Sequence, residues 1–298
     1  MHLTNSSPLL TPRSRHLLRH VALAAGCTAL FVVLATLVQT GWSPLARLDQ
    51  GWVDDMHRYA QGRRVWVASV QMLTDIGGTI TMRTLLGAAT LWLWLIGARV
   101  LACWAAAQAL VGWGFLWVLK LCLDRLRPHF PDPVAHAGGP ALPSGHAMAS
   151  VITCAVLVGL VWHRSSRGGR ITACSIAALT VLTIGWTRVA LAVHWPSDVL
   201  GGWLAAGIVL GAVTVAVELC RPGALARDVR RVNWRTRPRV QRVLVSQTAP
   251  APYDPVFDPA FDPAFDPAFD PAFDPAFEEA FEEAAERACD RPDGAVKP

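Results

Sequence analysis

The chain has 298 residues, 53% of them hydrophobic and only 16% charged, where a soluble domain carries about 25% charged residues. In so apolar a chain the net charge of +5 is an indicator of membrane topology. No basic stripe interleaved with stacking aromatics marks a nucleic-acid partner. The seven cysteines form no C-x-x-C or Cys/His pattern with zinc spacing. They serve best as small core residues, and a Cys103–Cys122 disulfide is formally possible but unsupported.

A helix needs roughly 20 apolar residues to span hydrocarbon, and six stretches qualify: about Leu17 to Thr40, Ile76 to Ile96 (weakened by Arg83), Leu101 to Leu123, Ala147 to Trp162, Ile171 to Leu191 and Val199 to Leu219. Arg13, Arg15 and Arg19 before the first run imitate a signal peptide, but the run from Val21 to Val38 is too long for an h-region and no small-x-small site closes it. A retained first helix is expected. Between Gly41 and Asp75, Trp52, Val53, Met56, Val65, Trp66 and Val70 alternate with Asp54, Asp55, His57, Arg63 and Arg64. That mixture suits an amphipathic helix lying at the interface, with an ordinary polar loop as the alternative. The expected fold class is therefore all-α: a six-helix transmembrane bundle over residues 17–222, a cytoplasmic segment 1–16, and a basic then acidic tail 223–298 that is largely disordered.

Loop charges orient the bundle. Arg13, Arg15 and Arg19, then Arg99, then Arg164, Arg167 and Arg170, and the arginines from Arg221 to Arg242 all fall on one side of six crossings. The positive-inside rule makes that side cytoplasmic, which predicts a multi-pass plasma-membrane protein. From Asp254 the chain repeats DPVF once and DPAF five times to Phe277, followed by acidic residues Glu278 to Glu286. A proline at every fourth position forbids a continuous helix, so a low-complexity tail is expected. A sharper alternative is a multivalent docking tail that engages a partner through repeated Phe and Asp.

Three polar clusters interrupt the apolar pattern, all on the side opposite the arginines. In the first, Lys120 and Arg127 are seven residues apart, nearly one helical face, and make a plausible anion grip; snorkelling at a helix end is the plain alternative. Pro128 helps end that helix, while Asp124 and Arg125 point elsewhere and are taken as structural. The second is Pro143, Ser144, Gly145 and His146. Ser144 is a natural N-cap, and the backbone N–H groups that follow suit phosphate oxygens. Gly145 permits close approach, and histidine titrates in the range useful for proton transfer. A capped turn with a surface histidine is the alternative. The third is Thr187 and Arg188, then His194 and, four residues on, Asp198. That spacing lets a carboxylate orient an imidazole, and an oriented histidine can serve as base or nucleophile; an interfacial His/Asp pair without chemistry is the alternative.

These residues, in this order, resemble the type 2 phosphatidic acid phosphatase superfamily, whose pattern is K-x6-R-P, then P-S-G-H, then S-R-x5-H-x3-D. The matches are Lys120, Arg127 and Pro128; Pro143 to His146; and Arg188, His194 and Asp198, with Thr187 in place of serine. The resemblance implies that His194 attacks phosphorus, that Asp198 orients it and that His146 protonates the leaving group. Lys120, Arg127, Arg188, Ser144 and the Gly145 amide would hold the phosphoryl oxygens. No cofactor is implied, and no carboxylate cluster offers magnesium a site. The implied substrate is a lipid or prenyl phosphate or diphosphate on the extracytoplasmic side. The alternatives are a phosphotransferase on the same fold and a non-catalytic membrane scaffold or transporter using the repeat tail; a haloperoxidase is disfavoured because those relatives are soluble. Deleting residues 250–298 tests the docking tail: activity or localisation should change, and no change in either removes the idea.

Overall fold

A computed structural model describes residues 12–162 and 165–235; the repeat tail, with the docking role expected of it, and most of the N-terminal segment lie outside the described residues. Among the described residues all regular structure is helical: α1 (Pro12–Gln39), α2 (Ser43–Ala60), α3 (Arg64–Ile76), α4 (Thr79–Leu95), α5 (Arg99–Leu123), α6 (Gly145–Trp162), α7 (Arg167–Ala190), α8 (Pro196–Cys220) and α9 (Ala224–Arg235). The all-α class expected from the apolar runs is what the chain adopts. Five helices, α1, α5, α6, α7 and α8, are long and apolar enough to cross a membrane, and the protein is a multi-pass membrane protein. The second expected crossing corresponds to α4, whose 17 residues sit at the lower limit for a span.

Side chains such as Leu30, Val32, Leu121, Ile176 and Leu179 are exposed along these helices, as a lipid-facing surface requires. Without a hydrophobic drive between helices in lipid, close packing relies on small residues. Helix α8 is the hub and is lined with them. A Cβ on Gly211 would lie 2.7 Å from the His20 carbonyl oxygen of α1, and one on Gly202 would lie 2.6 Å from the Ser144 carbonyl oxygen. Glycine at 202 thus lets the start of α8 lie directly against the start of α6, where two of the polar motifs meet.

The segment from Gly41 to Asp75 forms two helices rather than one. Asp49, Val53, His57 and Ala60 of α2 are buried, a spacing of four, four and three that defines one helical face. His57 stacks on Phe130 at 3.8 Å between ring centroids, and Gln61 donates to Asp132 at 2.6 Å. These contacts pin the connection between α5 and α6 against α2. At the other end of the bundle α9 packs Leu225, Val229 and Val232 onto the core. Its Asp228 carboxylate accepts from the Val100 and Leu101 amides at 2.7 and 3.1 Å, capping α5. The packed unit reaches Val232.

Replacing Gly202 with valine should destabilise the folded protein by about 1–3 kcal/mol, the usual scale of overpacking. Thermal unfolding in detergent checks this; an unchanged midpoint would show that α8 and α6 can separate freely.

Candidate active site

Five chain segments deliver side chains to one cleft of about 390 Å³: α3, the end of α5 and its following loop, the start of α6, the end of α7, and the turn into α8. Lys120, Arg127, His146, Arg188 and His194 line it, with Gln71 and Asp75 contributed by α3. The three expected cations and both histidines therefore converge. Ser144 and Gly145 sit at the α6 end of the same region, and Asp198 lies behind His194.

The chain reaches this arrangement through specific turns. Helix α7 ends at Ala190, and Ala192 takes a left-handed conformation with φ 54°. That reversal directs both the Val193 and His194 amides to the Arg188 carbonyl, at 3.2 and 3.3 Å. Pro196 then opens α8, where its missing N–H costs nothing. Asp198, at the third helical position, accepts from the Trp195 amide at 2.9 Å. The same carboxylate oxygen lies 3.3 Å from His194 Nδ1. On the other side of the ring, Arg127 Nη1 is 3.0 Å from His194 Nε2. A guanidinium can only donate, so Nε2 accepts and the ring proton resides on Nδ1, facing Asp198. The Nε2 lone pair of His194 is thus directed at Arg127, one of the residues lining the cleft.

His194 is buried. Burial pushes its imidazole down to about 4, with the hydrogen bond and charge of Asp198 opposing, and Arg127 and Arg188 reinforcing, the shift. Burial also lowers Arg127, again against the pull of Asp198. Arg127 is held in place by the carbonyls of Gly139 and Val193 at 2.8 and 2.7 Å. Lys120 Nζ donates to the Pro140 carbonyl, which Arg127 also approaches at 3.5 Å. Arg188 Nη1 donates to the Thr74 hydroxyl at 3.2 Å, and the Thr187 hydroxyl lies 3.0 Å from the same oxygen. Threonine at 187 therefore supports its neighbouring arginine through α3.

The route by which Lys120 and Arg127 meet differs from the helical-face argument. Helix α5 stops at Leu123, and Asp124 is left-handed with φ 35°. Arg127 lies beyond the helix and returns to Lys120 because the loop folds back, the Ala141 amide bonding the Arg125 carbonyl at 2.8 Å. Ser144 also differs from expectation. Its amide donates to the Asp198 carbonyl at 2.9 Å, but its hydroxyl is buried with no hydrogen-bond partner. Ser144 holds the N-cap position, but its side chain makes no capping hydrogen bond. An unmatched buried hydroxyl costs roughly 1–3 kcal/mol, a cost that an acceptor or donor on a bound group would remove. The first bond of the α6 ladder runs from the Met148 amide to the Ser144 carbonyl, so the amides of Gly145, His146 and Ala147 stand outside the ladder at the positive end of the helix.

Several functional-looking residues escape motif reading. Arg125 donates to Asp198 Oδ1 at 2.6 Å and to Asp49 Oδ2 at 2.8 Å. Asp49 comes from α2, where its place on the buried stripe with Val53 and His57 was the available signal. Thr74 and Asp75 come from α3 and carry no motif at all. Among the described residues, no group of three or more His, Cys, Asp or Glu side chains forms a metal-holding cluster.

A helical membrane protein with a cationic, histidine-bearing cleft at one end defines the class, and known proteins similar to it narrow that class. Residues 96–222 match the family profile described as PAP2 superfamily. The chain is 36% identical over 124 residues to an Escherichia coli (strain K12) protein, YbjG, whose name provisionally designates it an undecaprenyl-diphosphatase, covering 40% of this chain and 58% of that protein. It is 36% identical over 89 residues to phosphatidylglycerophosphatase B of Bacillus subtilis (strain 168), covering 29% and 43%. The chain thus spans roughly half the length of these curated relatives. A crystal structure of a transmembrane PAP2-type phosphatidylglycerolphosphate phosphatase from Bacillus subtilis shares the fold, with a TM-score of 0.57 at 20% identity over 67% of this chain and 98% of that one.

With histidine-selective ¹⁵N labelling in detergent, His194 should remain neutral and protonated on Nδ1 through pH 5. Asp198 holds its midpoint up, so Asp198→Asn should lower that midpoint further. Titration of His194 near 6.5, the ordinary histidine value, would contradict the buried geometry.

Proposed function

We propose that this protein is an integral membrane phosphatase acting on a lipid or prenyl phosphate or diphosphate through a phosphohistidine intermediate, without a metal. The observation that supports this best is the pairing on His194: Asp198 at Nδ1 and Arg127 at Nε2. The pairing keeps the Nε2 lone pair directed at Arg127, in a cleft shared with Lys120, Arg188 and His146, where a phosphoryl group drawing Arg127 onto its oxygens would meet that nitrogen.

Phosphoryl transfer depends mainly on positioning and on neutralising the equatorial oxygens. In this reading Lys120, Arg127 and Arg188 bind those oxygens, aided by the α6 amides and the unpartnered Ser144 hydroxyl. Nε2 of His194 forms a bond to phosphorus while the bond from phosphorus to the leaving oxygen breaks. His146 gives its proton to that oxygen. The ring of His194 now carries a positive charge, which Asp198 stabilises across Nδ1–H. Water then attacks phosphorus, His146 takes the water proton, and the N–P bond breaks to release phosphate and restore neutral His194. Asp198 keeps its charge throughout, as an orienting carboxylate should.

The substrate class rests on the relatives and on the setting. The YbjG protein is named for a prenyl diphosphate and phosphatidylglycerophosphatase B for a phospholipid, and the cleft lies at the end of a lipid-facing bundle. A prenyl diphosphate is the first choice, with phosphatidylglycerophosphate and phosphatidic acid next. The loop arginines support a cleft on the extracytoplasmic side of the plasma membrane.

Purified protein should release phosphate from at least one of these lipids with EDTA present, and His194→Ala should reduce turnover by about 10³-fold or more, the scale seen when a nucleophile is removed. Undiminished turnover in that variant would overturn the nucleophile assignment, and abolition by EDTA would overturn metal independence.

A further inference from the structure

Beyond the residues that touch the cleft, a buried chain of alternating charges leads away from His194. Asp198 Oδ2 faces His194 Nδ1. Its other oxygen, Oδ1, accepts from Arg125 Nη1 at 2.6 Å. The second terminal nitrogen of Arg125 donates to Asp49 Oδ2 at 2.8 Å. Ser197 closes the loop: its hydroxyl accepts from Arg125 Nη1 at 2.6 Å and donates to Asp49 Oδ2, while its amide donates to Asp49 Oδ1 at 3.0 Å. The side chains of Asp49 and Asp198 are 1% and 0% exposed, and that of Arg125 only 16%. Three elements distant in sequence, α2, the loop after α5 and the start of α8, are therefore tied together behind the imidazole.

We infer that Arg125 and Asp49 are positioning residues for His194: Arg125 clamps the orienting carboxylate, and Asp49 fixes Arg125 and adds the negative charge that favours a positive imidazole. This rests on the reading of His194 as nucleophile and names residues of the same site that the three motifs do not contain.

The charges support both halves. Arg125 alone would neutralise Asp198 and weaken its hold on a developing imidazolium. With Asp49 present, two carboxylates share one guanidinium, and the assembly behind the ring keeps a net charge of −1 for neutral His194 (two carboxylates against one guanidinium). Lys120 of α5, Arg127 of the loop after it, His146 of α6 and Arg188 of α7 face His194 from the cleft, with Asp75 of α3 near Arg188. The cleft side is thus net positive and disfavours an imidazolium, so negative charge behind the ring is needed to balance it. The geometry adds a second reason for arginine at 125. Its two terminal nitrogens serve two different carboxylates at once, a fork that a lysine ammonium cannot reproduce.

The test uses the full chain in detergent with the His194 ¹⁵N signal, assigned by its loss in His194→Ala. Removing the cation in Arg125→Met should raise the His194 midpoint, whereas removing the anion in Asp49→Asn should lower it. Both should reduce kcat by about 10–100-fold, the scale for supports behind a catalytic group, with KM changed by less than about 3-fold because neither touches the cleft. Arg125→Lys should recover only part of the loss. A purely structural role would lower the yield or thermal midpoint without opposite titration shifts. Shifts of the same sign, an unmoved midpoint, or undiminished kcat would each overturn the proposal. If Arg125→Met does not fold, the Arg125→Met/Asp49→Asn double variant leaves no stranded charge at 49, and its midpoint should return towards the wild-type value; failure to return counts against the relay. The titration needs no turnover, so it decides the relay separately from the lipid panel that decides the phosphatase reading.

Discussion

The site depends on keeping one carboxylate, Asp198, ionised and still in a place that water does not reach. Its side chain is fully buried, and a buried charge is tolerated only when paired and hydrogen-bonded. Here the carboxylate has three donors: the Trp195 amide, the His194 ring and Arg125. Stripping one partner from such a pair costs on the order of 3–5 kcal/mol because the other charge is left stranded. That cost is what locks the turn into α8 against the loop after α5 and against α2. The orientation of His194 follows from that arrangement.

The other half of the site is a problem of like charges. Lys120, Arg127 and Arg188 crowd one cleft, and each must be held against mutual repulsion. The chain does so mainly with neutral acceptors: the carbonyls of Gly138, Gly139, Pro140 and Val193, and the Thr74 hydroxyl. Carbonyl dipoles fix the position of a cation without cancelling its charge, so the positive potential is retained for an incoming anion. A carboxylate in each of those places would have given tighter pairs and a less positive cleft. The uncompensated potential, the free α6 amides and the unpartnered Ser144 hydroxyl all favour the same type of ligand.

The eight residues named from the motifs were legible because their chemistry is local: a proline, a glycine or a histidine four residues from an aspartate carries its reason in its spacing. The apolar runs gave the helical class in the same way. What stayed hidden was long-range. Arg125 was misplaced because a helical wheel continued past Leu123, where the chain actually turns left-handed at Asp124. Asp49 lies 148 residues before its partner Ser197, in a stretch where the mixture of Trp, Asp and Arg masks the buried stripe. The split of that stretch into α2 and α3 was equally invisible, since Gln61 and Gly62 form a weak break between two amphipathic faces. Thr74, which steadies Arg188, became recognisable only once α3 was seen packed against α7.

The position of the cleft follows from the backbone as much as from the side chains. Irregular chain at membrane depth leaves polar groups that lipid cannot satisfy. The loops carrying Arg125, Arg127, Ser144 and His194 are rich in such groups, and they answer them internally: Trp195 Nε1 donates to the Leu126 carbonyl at 3.0 Å, and Gln39 of α1 donates to the last carbonyl of α5 at 2.6 Å. Helices α2 and α3 roof this region and contribute Asp49, Thr74 and Asp75 from above. The cations thus face a cleft at one end of helices whose outer faces are apolar. A substrate with a phosphate head and a long apolar tail meets both surfaces at once. A small soluble phosphate would use only the first, which supports the lipid preference proposed above.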